Sequence, residues 1–483
     1  MNKKNIIFTL DAYKWDHESL YKDGFENNYA NLLCRSDKVH KEAVVFGFQG
    51  DIKTWLTKPV TQEMLDEARE TAIDCFGSDQ CINYKSWQYI IDNLDGMIPL
   101  RIKSVEEGCI VPVGNVIMTV EATIDGFGWA ASAFETLLQH GWYTTQVATR
   151  AFEIVRDIKA SIIESSDNLE TYKFMLCDFG QRGVTCMEQA GKGGSAVLLS
   201  TYSSDTMMAI PYAVNDYNAD RTNLLKSVRA VEHAVTSGYG STIEGEMDYL
   251  STILNRHRDG ILSMLTDTNC TERFIQKVVP EMKQEILNHH ENGKGFVNKV
   301  IFRPDSDRWE GDTPHEQVLW IVEKLGETFG YSVNTKGKKV LHPAVGVIYG
   351  DALTQEKINV LYRHLIDNGW SSENCFVGCG GGLLQNGYYR DALATAFKAS
   401  KQKFDGKWIN VNKNTATKTS IGGKAKLFKE QDVINGGWNY KTIRDDHPLY
   451  HDVKDEMNVV FENGKMIHEV DFETVRANIG LWS

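Results

Sequence analysis

Val345-Gly346-Val347-Ile348-Tyr349-Gly350-Asp351 is an apolar run of buried-strand character that ends in glycine and a carboxylate. Thr354 follows as a helix N-cap, and Ile358, Leu361 and Leu365 recur behind it at helical spacing. The next apolar pair, Phe376-Val377, runs into Gly378-Cys379-Gly380-Gly381-Gly382. Strand, helix and strand in that order predict parallel strands, whose C-terminal ends share one rim.

The same pattern extends upstream. Val300–Phe302 ends in Arg303-Pro304-Asp305, Ile261–Leu265 in Asp267, and Phe174–Leu176 in Asp178-Phe179-Gly180-Gln181-Arg182. Thr313-Pro314-His315-Glu316 reads as a capping box with proline at the first helical position. Val318, Ile321, Val322, Leu325 and Phe329 then form one apolar face. The expected class is α/β, with a barrel-like domain over residues 151–400 that gathers carboxylates, arginines and glycine loops at one mouth. Residues 1–150 and 401–483 have a different texture. Pro99–Val105 and Cys109–Val120 have strand character, with turns at Glu107-Gly108 and Val113-Gly114. Asn410–Lys426 is polar and rich in glycine and lysine, and Val459–Ile467 predicts a hairpin turning at Glu462-Asn463-Gly464.

The chain has 483 residues, enough for two domains, and its formal net charge of −13 argues against general nucleic-acid or anionic-membrane binding. Its nine cysteines include no Cys-x-x-Cys pair, which predicts reduced, mostly buried thiols in a cytoplasmic protein. Met1–Leu10 is too short and polar for a secretory signal, and no apolar run approaches the roughly 20 residues of a membrane span.

Several motifs have competing readings. Asp178-Phe179-Gly180 and His257-Arg258-Asp259 resemble kinase motifs, but their order is reversed and no glycine-rich nucleotide loop precedes them. Gly378–Gly382 either permits tight packing or binds phosphate. Gly350-Asp351 on the preceding strand, and Arg390 and Lys398 on the amphipathic stretch that follows, favour phosphate. Arg303 and Asp305 form either an ion pair closing a loop or a contact for sugar hydroxyls and phosphate. His233, after Glu232, is open between a structural and a catalytic role. Lys407, Lys413, Lys418, Lys424 and Lys426 mark either a solvated loop or a pyrophosphate grip.

Taken in order, Asp11-Ala12-Tyr13-Lys14, Asp178-Phe179-Gly180-Gln181-Arg182-Gly183, Ser204-Asp205-Thr206, Glu232-His233, Arg303-Pro304-Asp305-Ser306, Gly350-Asp351 and Gly380-Gly381-Gly382-Leu383-Leu384-Gln385 resemble the nicotinamide phosphoribosyltransferases, within the type II phosphoribosyltransferase family. The likeness covers nearly the whole chain. It implies a second, β-rich domain built from both chain ends, and a homodimer with active sites at the subunit interface. It implies transfer of phosphoribose from 5-phosphoribosyl 1-pyrophosphate to nicotinamide with Mg²⁺, and ATP as a co-substrate. Phe179 would stack on one face of the pyridine, and Tyr13 from the partner chain on the other. Arg182 would hold the amide oxygen, and Asp205 would accept from the amide NH₂. Arg303 and Asp305 would contact ribose and ring; Gly350, Asp351, Gly380 and Gly381 the ribose and its phosphate. Arg35, Arg390, Lys398, Lys413 and Lys418 would hold phosphate or pyrophosphate. His233 would take a phosphoryl group from ATP, oriented by Asp267.

The chain departs from the common pattern at Cys177, Arg229, Ala234 and Asp307, and in the spacing from Gln385 to Arg390. The changes around His233 bear on ATP use more than on transfer. Three alternatives remain: nicotinate phosphoribosyltransferase, which Asp205 disfavours; a nucleotide-binding or signalling protein without turnover, which would have no need of the whole residue set; and a generic sugar-phosphate barrel enzyme, which leaves Tyr13 and Asp205 unexplained.

Overall fold

The computed structural model describes residues 4–36, 38–293, 297–309, 311–413, 420–431 and 438–482. The chain divides into two compact units, one of residues 1–149, 212–219 and 388–483, the other of residues 150–211 and 220–387.

The second unit is built on six parallel strands: β1 Leu176–Asp178, β2 Arg229–Ala230, β3 Ile261–Leu265, β4 Lys299–Arg303, β5 Val345–Tyr349 and β6 Cys375–Cys379. Their order across the sheet is β1-β6-β5-β4-β3-β2, and every pairing is parallel. Tyr202–Asp205 joins the two sheet edges. Asp178 N donates to Ser203 O at 3.1 Å, Asp205 N to Asp178 O at 2.8 Å, and Lys226 N to Tyr202 O at 2.7 Å. These bonds close the strands into a ring.

Val300, Phe302, Val345, Val347 and Val377 are buried on one face of the strands. Alternation then sends Arg303, Gly350, Gly378 and Phe179 to the other face, as the register Ile301–Gly346 and Gly378–Cys177 requires. The helices Pro314–Phe329 and Gln355–Asp367 pack against each other, with the predicted faces Val318, Ile321, Val322, Leu325 and Phe329, and Ile358, Leu361 and Leu365, buried. Thr313 Oγ1 accepts from Glu316 N and also donates to Glu316 Oε2, while Thr313 N donates to Asp312 instead of to glutamate. Phe174 and Met175, expected in a strand, belong to the short helix Tyr172–Met175, so the strand starts at Leu176.

The first unit contains a seven-stranded antiparallel sheet, in the order Lys407–Asn410, Ala396–Phe404, Phe25–Leu33, Val116–Ala122, Leu100–Val105, Met457–Glu462, Lys465–Met466. Segments from both chain ends therefore share one sheet. The amphipathic stretch carrying Lys398 is a strand, because it pairs along nearly its whole length with Phe25–Leu33. The last segment of this unit runs from Tyr388. The hairpin turn forms at Asn463 (φ 48°) and Gly464 (φ 81°), where left-handed backbone suits a two-residue connection. Buried Trp87 and Trp129 meet edge to face at 5.2 Å in the core beneath this sheet.

All nine cysteines are free thiols; three are buried, three half-buried and three exposed, so fewer are buried than composition suggests. Among the described residues no helix is long and apolar enough to cross a membrane.

Candidate active site

Parallel strands deliver each residue that follows them to one rim, and the ring does so for Phe179, Asp205, Asp267, Arg303, Gly350 and Gly380 in turn. The tightest contact is glycine-dependent. The Phe179 ring lies so close over Gly378 that a β-carbon there would stand 2.2 Å from Cε2 and 2.8 Å from Cδ2. At Gly350 the same added atom would be 3.4 Å from Cε2. Two glycines on neighbouring strands thus make the bed for one aromatic ring. Gly183, after Arg182, faces Gly381, with an added β-carbon 3.2 Å from its Cα. The Phe179–Gly183 turn and the glycine loop are therefore in contact.

Asp178 fixes the approach to this turn. It is fully buried; Oδ1 accepts from Gly180 N at 2.8 Å and Oδ2 from Ser204 Oγ at 3.1 Å. Burial raises its pKa, against the lowering effect of those hydrogen bonds. Arg182 is exposed, and so is Asp205, whose Oδ1 accepts from Ser227 Oγ. Gln181 Oε1 accepts from Met208 N at 3.2 Å, linking the loop after β1 to the segment after Asp205. Cys177 lies beneath, its thiol pushed up to about 12 chiefly by burial.

Gly380 precedes the single helical turn Gly381–Leu384, whose first N–H groups have no partner within the helix. Arg150, which the motifs did not point to, secures this loop: Nη1 donates to Gly382 O at 3.0 Å and to Asn386 O at 2.7 Å. The loop's shape therefore depends on a cation outside it.

His233 Nε2 is 3.2 Å from Asp267 Oδ1; the imidazole side chain is 48% exposed and the carboxylate 6%. That pairing is the one expected. Arg303 Nη2 donates to Val231 O at 2.6 Å, two residues before His233, while its buried Nε has no hydrogen-bond partner. Arg303 is thus tied to the segment of His233 and not to Asp305. Asp351 has a raised pKa, from burial first and then from Asp307 and Asp305, with Lys357 opposing. Carboxylates therefore crowd this part of the rim. Among the described residues, no group of three or more histidine, cysteine, aspartate or glutamate side chains is arranged to hold a metal ion.

Four of the predicted phosphate-binding cations belong to the first unit, and they lie together. Burial depresses the pKa of Lys398; Glu135 opposes, and Arg35, Lys413 and Arg390 lower it further. Arg390 also pairs with Asp391 at 2.9 Å. Lys424 and Lys426 are structural: Lys424 Nζ pairs with Glu121 at 2.8 Å, and Lys426 Nζ donates to Tyr450 O at 2.7 Å. Lys418 lies outside the described residues. Tyr13 is 63% exposed, while the neighbouring Lys14 is buried and pairs with Glu135 at 2.8 Å.

The nicotinate phosphoribosyltransferase (NAPRTase) family description matches residues 174–464, and that of the nicotinamide phosphoribosyltransferase N-terminal domain matches residues 5–102. A nicotinamide phosphoribosyltransferase of Xanthomonas campestris pv. campestris is 32% identical, over 98% of this chain and 98% of that protein. One from Acinetobacter baylyi is 28% identical, over 98% and 97%. The fold matches the solved structures of a nicotinate-nucleotide pyrophosphorylase from Pyrococcus furiosus (TM-score 0.56, 15% identity, 99% of this chain and 96% of that one) and of human nicotinic acid phosphoribosyltransferase (TM-score 0.56, 11% identity, 98% and 92%).

Proposed function

This chain belongs to the nicotinate phosphoribosyltransferase family, and from that premise we propose that it joins nicotinamide to 5-phosphoribosyl 1-pyrophosphate, releasing nicotinamide mononucleotide and pyrophosphate. The observation that carries the reading is Phe179 lying on Gly378, with Asp205 on the adjoining segment of the ring. An aromatic face beside a carboxylate suits a flat pyridine bearing an amide NH₂.

Displacement of pyrophosphate at the anomeric carbon builds oxocarbenium character on the sugar, so the protein's work is alignment and charge placement. Phe179 orients the pyridine so that its ring nitrogen faces that carbon, and Arg182 and Asp205 fix its rotation through the amide. Asp305 and Asp351 take the ribose, and the N–H groups at Gly380 and Gly381 its 5′-phosphate. Mg²⁺ comes with the substrate's pyrophosphate. A homodimer supplies Tyr13 to the second face of the pyridine, and Arg35, Arg390, Lys398, Lys413 and Lys418 to the phosphates. The nine free thiols agree with a cytoplasmic location.

ATP enters through His233. With its Nε2 proton directed at Asp267, the imidazole has its lone pair on Nδ1, on a half-exposed ring open to a phosphoryl donor.

Nicotinate would set a second carboxylate against Asp205. Like charges about 4 Å apart cost roughly 4 kcal/mol at an effective dielectric of about 20, which disfavours that base. The test is incubation with phosphoribosyl pyrophosphate and Mg²⁺, offering nicotinamide or nicotinate, each with and without ATP. Mononucleotide and pyrophosphate in equal amounts from nicotinamide are expected; a preference for nicotinate, or binding without pyrophosphate release, would refute the assignment.

A further inference from the structure

We propose that Ser306 is a positioning residue: it holds the Asp267 carboxylate, and through it His233, and so ties the loop bearing Asp305 to the histidine. This deepens the reading of His233 given above and rests on it.

Asp267 has a partner on each oxygen. Oδ1 is 3.2 Å from His233 Nε2, and Oδ2 accepts from Ser306 Oγ at 2.7 Å. A carboxylate held on one oxygen can still turn about its Cβ–Cγ bond. Held on both, it turns only by giving up one contact. The serine itself is well anchored. Its carbonyl accepts from Nε2 of fully buried Gln317, at 3.0 Å, on the helix Pro314–Phe329. Three residues earlier, Arg303 Nη2 donates to Val231 O at 2.6 Å, which pins the segment leading to His233. On the far side, the hydroxyls of Thr236 and Thr268 are 2.5 Å apart, so the turn after His233 is registered against the residue after Asp267. The histidine and its carboxylate are thus clamped, and Ser306 is the clamp that sits directly after Asp305.

The chemistry gives this clamp a use. In phosphoryl transfer from ATP, His233 Nδ1 forms the N–P bond while the bond from the γ-phosphorus to the bridging oxygen breaks and ADP leaves. The ring keeps its Nε2 proton and gains positive charge, which Asp267 balances only while its oxygen faces Nε2. A sugar held by Asp305 fixes the neighbouring Ser306, so occupancy of the sugar site bears on the charge-balancing carboxylate without touching the imidazole.

Two measurements on the full-length enzyme test this, using Ser306→Ala and Ser306→Thr, each alone and combined with Asp267→Asn. The first is the rate at which diethylpyrocarbonate acylates His233 without substrates, followed by peptide mass spectrometry. The second is phosphohistidine formation from γ-labelled ATP. Losing a hydrogen bond to a charged group predicts that Ser306→Ala slows both by about tenfold to a hundredfold. Ser306→Thr, which keeps the hydroxyl, restores both, and Ser306→Ala has no added effect when Asp267 is already asparagine. The proposal is overturned if Ser306→Ala acylates at the parental rate, if the threonine variant is as slow as alanine, or if the serine effect persists undiminished beside Asp267→Asn. Acylation that follows Ser306 in an enzyme forming no phosphohistidine would uphold the clamp and remove ATP from His233.

Discussion

Replacing Gly378 by alanine isolates the aromatic wall of the pocket. Gly378 is not in left-handed backbone, so the substitution brings a methyl group and no backbone strain. That methyl would stand 2.2 Å from Phe179 Cε2, 2.8 Å from Cδ2 and 3.0 Å from Cζ. Carbon atoms settle about 3.5–4.0 Å apart, so the ring must retreat by at least ~1.3 Å. Overpacking of this kind costs about 1–3 kcal/mol, which is a factor of about 5 to 150 if pyridine binding bears it. Steady-state kinetics with nicotinamide varied at saturating phosphoribosyl pyrophosphate is the assay. The KM for nicotinamide should rise within that range, with a much smaller change in the KM for the sugar. Gly350→Ala is the internal scale: its methyl would be 3.4 Å from the same carbon, and its effect should be severalfold smaller. If Gly378→Ala keeps parental kinetics, Phe179 does not stack on substrate and the pocket has been misassigned.

Asp205→Asn and Asp205→Ser should narrow the preference for nicotinamide over nicotinate; unchanged relative kcat/KM for the two bases would free Asp205 of that role. Lys398 carries a depressed pKa, so as pH rises it loses its charge earlier than an ordinary lysine. The KM for phosphoribosyl pyrophosphate should therefore climb on the alkaline side, and Lys398→Arg should flatten the climb; parallel pH profiles would count against the cation. Arg150→Met removes both carbonyl contacts that shape the glycine loop and should raise the same KM by about tenfold, by the energy of a charged hydrogen bond, with little change for nicotinamide. Equal loss for both substrates would point to general unfolding, which a melting curve would reveal.

The rim was legible because each strand that forms it is a local apolar run ending in a charge or glycine. Ile261–Leu265 and Val345–Tyr349 were read to the residue. The closing segment was not. Ser203–Ser204 and Arg229–Ala230 make only one or two ladder contacts each, too few for any periodicity to register. The amphipathic stretch carrying Lys398 gives no strand signal of its own, because Ala396–Phe404 takes its conformation from Phe25–Leu33, a partner far away in the chain. Arg150 gave no signal, and Ser306 was visible only as part of the Arg303–Ser306 motif, for a related reason. An arginine in a long helix or a serine in a loop is ordinary in sequence, and acquires meaning only from the carbonyl or carboxylate the fold sets beside it. The residues proposed to bind were visible; the contacts of Arg150 and Ser306 were not.

One buried side chain connects the closure of the ring to the shape of the proposed pyridine slot. Asp178 uses its backbone to hydrogen-bond Ser203 and Asp205, and its carboxylate to hold Gly180 N–H and the Ser204 hydroxyl. Phe179 is its next neighbour along the chain, and Asp205 is the next neighbour of Ser204. Phe179 and Asp205, the proposed stacking face and amide acceptor, are therefore set by the same group, one residue away in each direction. A buried carboxylate is costly to keep, as its raised pKa records, unless each oxygen is satisfied. Here satisfying it is what sets Phe179 and Asp205 relative to each other. On the proposed roles of Phe179 and Asp205, selectivity for the base begins at this buried carboxylate, at the point where the barrel closes.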